Sequence, residues 1–203
     1  MLSLLRKAVT PIKLGLAAPL ARAKVDPNTV TLAAIPFALG AMGLASQGHY
    51  WWALTLAVPS ALADFLDGAV AELQGRTSPQ GNFLEAVVDR LVDGFLLAGL
   101  ATRFPLLSML AMTLSFAVSY IKARVGLVVQ TDNSDWPGWG DRTDRIAIIL
   151  LAYIGAGYST RMGSAVLIFL IAVSLVGTLQ RLKHAFGLID KAKKEDTLLP
   201  YLQ

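Results

Sequence analysis

The chain predicts an all-α integral membrane protein, with six transmembrane helices preceded by an N-terminal interfacial amphipathic helix. Three observations carry that expectation. The 203 residues are 55% hydrophobic and 16% charged, richer in apolar side chains than the ~45–50% of soluble domains, and the mean hydropathy is +0.56. The apolar residues gather into six stretches, each near the ~20 residues that cross a hydrocarbon core. Of the 18 Lys and Arg, only Arg103 and Arg161 fall on the far side of a six-span topology, so the positive-inside rule puts both termini, and the loops between them that carry charge, in the cytoplasm.

Residues 1–25 form the juxtamembrane segment. In them Arg6, Lys7, Lys13, Arg22 and Lys24 alternate with apolar turns interrupted by Pro11 and Pro19, the pattern of a helix lying in the interface rather than of a cleaved leader. Residues 26–185 are the membrane domain. It opens with "DPNTVT", where Pro27 and Asn28 are turn and cap residues for the first span. The spans are expected at 28–47, 51–72, 81–102, 105–125, 144–160 and 163–183. Pro59 lies inside the second, a position that membrane helices tolerate. "QGRTSPQG" at 74–81 and "TDNSDWPGWGD" at 131–141 have turn composition and read as cytoplasmic loops. Residues 186–203, with "DKAKKED", read as a solvated tail.

Several function classes drop out on composition. With no cysteine there is no disulfide, thiolate metal site or cysteine nucleophile. His49 and His184 fall on opposite sides of the predicted membrane, which excludes a histidine-based zinc site. The pI near 9.5 reflects basic residues flanking apolar spans, better matched to topology and anionic headgroups than to nucleic acid.

The segment "DFLDGAVAELQGRTSPQGNFLEAVVD", from Asp64 to Asp89, is where the chemistry concentrates. Asp64, Asp67, Gly68 and Ala71 share one helical face, and Glu85, Asp89 and Asp93 repeat every four residues. Two acidic faces joined by a short loop can converge, and carboxylates brought together repel unless cations neutralise them. Hard oxygen ligands of this kind suit Mg²⁺ or Mn²⁺. The other reading is a set of polar helix ends paired with Arg76 and Arg90. On the next spans, Lys122 and Arg124 in "SYIKAR" and Arg142 and Arg145 in "GDRTDR" place four cations near the same membrane face. They suit an anionic ligand, or serve only as headgroup anchors.

The spacing of the acidic segment resembles the CDP-alcohol phosphotransferase signature, D-x2-D-G-x2-A-R-x8-G-x3-D-x3-D. Asp64, Asp67, Gly68, Ala71, Gly81 and Asp89 match it; Glu72 stands where the pattern has Arg, and Glu85 where it has its third Asp. The resemblance implies that Asp64, Asp67, Glu85 and Asp89 hold two divalent cations and that Asp89 is also the general base. It implies that Gly68, Ala71 and Gly81, with Thr77 or Ser78, contact the CDP moiety, although small residues also serve helix packing. A CDP-activated lipid would be the donor, a polar alcohol the acceptor, CMP the leaving group, and a homodimer the assembly. "SYIKAR", "DRLVDG" and the paired arginines look like inositol-phosphate-type members, which makes Lys122, Arg124, Arg142 and Arg145 the expected acceptor contacts. Glu72 exchanges a positive nucleotide contact for a negative one, and Arg76 could compensate if the helix continued. Glycerol phosphate or serine remains open as acceptor, as do a catalytically degenerate CDP-lipid or metal binder and a small cation transporter.

Overall fold

The structure, a computed structural model, describes residues 6–131 and 136–199, with side chains from residue 10 onward. The side chains of Arg6 and Lys7 and residues 132–135 of the polar loop lie outside the described residues. Seven helices make up the described fold: α1 (Arg6–Arg22), α2 (Pro27–Ser46), α3 (Tyr50–Leu73), α4 (Pro79–Ala101), α5 (Pro105–Val125), α6 (Arg142–Tyr158) and α7 (Thr160–Lys194). Their boundaries follow local chemistry. Prolines at 27, 79 and 105 occupy first helical positions, where the missing N–H costs nothing. Gly48 and Gly75, both at positive φ, follow α2 and α3. The N-cap of α2 is Asp26, whose carboxylate accepts from Asn28 N at 3.0 Å; Asn28, one of the expected caps, is the donor.

Four helices, α2, α3, α5 and α7, are long and apolar enough to cross a membrane, so the chain is an all-helical integral membrane protein. The other two expected spans have visible reasons to miss that standard. Helix α4 carries Glu85, Asp89, Arg90 and Asp93, and α6 has 17 residues with Arg142, Asp144 and Arg145 in its first turn. Helix α7 is 35 residues long, about 50 Å at 1.5 Å per residue. It runs straight on through the expected start of the tail: Ala192 is buried with Val128 and Val129, and Leu199 N donates to Val128 O at 2.9 Å.

The core is built on close approach. Ala34, Ala38, Ala41 and Ala45 form a fully buried stripe on α2 that meets Ala53 and Ala57 of α3, and methyl-sized side chains let backbones pack tightly. Helix α4 comes equally close to α2: a Cβ at Gly99 would lie 2.9 Å from Met42 Cα and 3.1 Å from Ala45 Cβ. Tyr153 of α6 ties its hydroxyl to Leu96 O at 2.8 Å. Helix α1 docks on the end of α3, with Ala17 buried against Ala69 and Val70. Gln74 Nε2 then donates to Val25 O at 2.9 Å, joining the end of α3 to the α1–α2 turn. These contacts gather the start of α2, the end of α3 and the start of α4 around one volume.

Candidate active site

Helices α3 and α4 run into and out of the 74–78 turn, so the acids at the end of one face those at the start of the other. One carboxylate oxygen from each of Asp64, Asp67 and Glu85 falls within 4.8 Å of the others. A single hard cation accepts oxygens at about 2.0–2.6 Å, so this spacing fits a shared ion. Asp67 is 2% exposed and oriented by Thr31 of α2, whose hydroxyl donates to Oδ2 at 2.7 Å. Lys13 of α1 acts electrostatically on Asp67 and Glu85, and its ammonium stands 5.3 Å over the Phe65 ring.

The fourth carboxylate is held by cations. Arg142 Nη1 pairs with Asp64 and lies 3.0 Å from Asp89 Oδ1, and Arg90 Nη1 lies 3.4 Å from Asp89 Oδ2. Behind them Asp93 and Arg145, both side chains 2% exposed, form a pair at 3.1 Å. Arg145 also donates to Gly140 O at 2.7 Å and Ser119 Oγ at 3.3 Å. Asp93 therefore finds its partner on another helix, and Arg145 belongs to the interior rather than to an open surface. Arg181 of α7 is similarly enclosed, donating to Val118 O at 2.9 Å and pairing with Asp141.

Two cavities flank this charge network. The first, about 900 Å³, is lined by Gly68, Ala71, Thr77, Ser78 and Gly81 together with Asp67 and Glu85. All five residues expected at the nucleotide thus share one space with two of the carboxylates. Ser78 is also the N-cap of α4, its hydroxyl accepting from Gly81 N at 3.0 Å. Asp26, Asn28, Thr31 and Arg76 also form part of the wall. The second cavity, about 630 Å³, is lined by Arg90, Lys122, Ser119, Gln130 and Thr131. Of the expected acceptor cations, Lys122 lies in it, Arg124 is exposed outside it, and Arg142 sits among the carboxylates. Thr31, Lys13 and Arg181 were not singled out from the residues alone. For Arg181 a signal existed, an arginine in "LQRLKHAFG" that directly follows the apolar run of the last span. The Thr31 contact spans 36 positions and leaves no local trace.

The model of the CDP-alcohol phosphatidyltransferase family matches residues 24–186. This chain belongs to that family. Among CDP-alcohol phosphatidyltransferases it is 34% identical over 148 residues to a phosphatidylinositol phosphate synthase of Mycolicibacterium smegmatis, covering 68% of this chain and 64% of that one. It is 30% identical over 190 residues to an archaetidylinositol phosphate synthase of Methanothermobacter thermautotrophicus, covering 90% of each. In three dimensions it resembles the Mycobacterium tuberculosis phosphatidylinositol phosphate synthase solved with CDP-DAG bound: the TM-score is 0.70 at 26% identity, over 87% of this chain and 94% of the other. The same enzyme solved with manganese and citrate gives a TM-score of 0.73 at 25% identity, over 86% and 88%.

Proposed function

We propose that this protein transfers a phosphatidyl-type group from a CDP-activated lipid to a phosphorylated polyol, inositol phosphate being the favoured acceptor, and releases CMP. The observation that carries the reading is the position of Asp89. It lies one helical turn from Glu85 in the first cavity, and it pairs with Arg90, which lines the second. A carboxylate between an acid-lined space with small walls and a cation-lined space is placed to serve two substrates at once. Relatives named phosphatidylinositol phosphate synthase and archaetidylinositol phosphate synthase, and a related structure holding CDP-DAG, support the same assignment.

The first cavity suits the nucleotide: Gly68, Ala71 and Gly81 present little side chain, leaving backbone open to close approach. Asp67 and Glu85, with Asp64 and Asp89 once Arg142 yields them, would hold divalent cations such as Mg²⁺ or Mn²⁺. When bound, such ions neutralise the diphosphate and stabilise charge on the leaving phosphate. In the second cavity Lys122 and Arg90 suit the phosphate of the acceptor and orient its hydroxyl toward Asp89. Asp89 takes the hydroxyl proton as the oxygen bonds to the lipid-linked phosphorus; the bridging P–O bond breaks, and CMP leaves with that electron pair.

The same reading makes α4 and α6 membrane spans as well, six in all. It keeps both termini and the acid site on the cytoplasmic side, where nucleotide-activated lipids present their headgroups. The homodimer implied by the family stays a proposal.

The deciding experiment incubates purified protein with CDP-diacylglycerol and Mn²⁺ against inositol phosphate, inositol, glycerol phosphate and serine, and measures CMP. Release with inositol phosphate, well above that with unphosphorylated inositol, is the expected result. Release only with serine would move the acceptor, and none with any of them would leave a donor-lipid binder.

A further inference from the structure

We propose that Arg76 is the side chain that grips the diphosphate of the nucleotide in the first cavity, supplying from a loop the positive charge that Glu72 does not supply from α3. The assignment rests on the donor reading above and adds a binding residue to it.

The charge inventory of the cavity calls for such a group. Asp26, Asp67 and Glu85 line it, and among the described residues Arg76 is the one cation that does. Glu72 is exposed and takes no part in the lining, so its carboxylate can stay in water. The helix does not continue to Arg76: α3 ends at Leu73, and Gly75 at φ +62° turns the chain. That turn brings the backbone back, and Arg76 N donates to Ala71 O at 2.9 Å. Arg76 is thereby anchored on a residue that forms the cavity wall.

Its side chain is held loosely. Arg76 Nη2 lies 3.7 Å from Asp26 Oδ2, with the two side chains 55% and 48% exposed, and a pair so open to water holds weakly. Asp26 does not depend on it, because its Oδ1 already caps α2 through Asn28 N. Arg76 can therefore leave one carboxylate for a phosphate, which receives a guanidinium through two parallel hydrogen bonds. The rival cation is Lys13, whose Nζ stands 3.8 Å from the place of a Cβ on Gly68. It does not line the cavity, and its charge acts on Asp67 and Glu85, where it offsets the acids.

The test is calorimetric titration of CDP and of cytidine into the full chain in detergent with Mn²⁺. Arg76→Gln is expected to weaken CDP by about tenfold or more, the scale of a lost charge-assisted hydrogen bond, with no change for cytidine, and Arg76→Lys to recover part of the loss. Were Arg76 only a tether for the loop, Arg76→Gln would loosen the cavity wall and weaken cytidine as much as CDP, and that result overturns the assignment. So does an Arg76→Gln protein that binds CDP like the wild type, or a Lys13→Gln loss that exceeds the Arg76→Gln one. A wild-type protein that binds no CDP at all removes the donor reading itself, and this assignment with it.

Discussion

Asp89 meets two guanidinium groups, Arg142 at 3.0 Å and Arg90 at 3.4 Å, while Asp64, Asp67 and Glu85 form the compact oxygen cluster. Arg142 also pairs with Asp64, so one guanidinium joins the proposed base to the proposed cation ligands. Asp89→Asn keeps the size of the side chain and removes its basicity, so CMP release should fall by about 10²–10⁴-fold. CDP affinity, measured on the same preparation, should stay within a few-fold of wild type. The Asp93–Arg145 pair makes the opposite kind of residue. Both side chains are 2% exposed, and removing one partner leaves a charge in the core, a loss of about 3–5 kcal/mol. Asp93→Ala should lower the melting temperature in detergent markedly, and the double replacement Asp93→Leu with Arg145→Met should regain much of it. Spacing brought out the four carboxylates, and the family resemblance pointed to the five small or hydroxylic cavity residues that lie between them along the chain. Burial is what spacing does not carry. Arg142 and Arg145 read alike as cations at the start of a helix, yet one lies among the acids of the site and the other is enclosed behind them.

Helix ends were legible because prolines and glycines punctuate them: α2 through α6 begin and end within two residues of the expected spans. The end of α7 was not, since "LIDKAKK" is composed of good helix formers and nothing in it says whether it meets water or protein. Helix-to-helix distance is a tertiary property that one position reveals. A Cβ on Gly99 would stand 2.9 Å from the backbone of Met42 and 2.9 Å from the Tyr153 hydroxyl, so α2 and α4 must part to admit a larger residue. Gly99→Leu should destabilise the detergent-solubilised protein by about 1–3 kcal/mol, read as a drop in melting temperature. Gly43 on α2 has open space around its Cβ position, and Gly43→Ala should leave that temperature nearly unchanged.

Across the whole molecule, the absence of cysteine makes sidedness directly measurable, since any introduced thiol is the only one. A membrane-impermeant maleimide applied to inside-out vesicles should label Gln80→Cys and Lys191→Cys, and applied to right-side-out vesicles should label His49→Cys and Arg161→Cys. Labelling of 80 and 161 from the same face would break the six-span arrangement. The expectation comes from the basic-residue asymmetry, a pattern that the sequence carries in one dimension. The meeting of α1 with the acids was not foretold, since Lys13 acts on Asp67 only once α1 has folded against α3.

Leu199 lines the second cavity, and its N–H is bonded to Val128 O at 2.9 Å. Leu199 therefore supplies part of the wall of the cavity proposed for the acceptor, and among the described residues this stretch supplies none of the cavity proposed for the nucleotide. Trimming the protein after Lys194, or fusing a bulky partner directly behind Leu199, should raise KM for the polyol while sparing affinity for CDP. An affinity handle for purification belongs at the amino end, or behind a generous spacer.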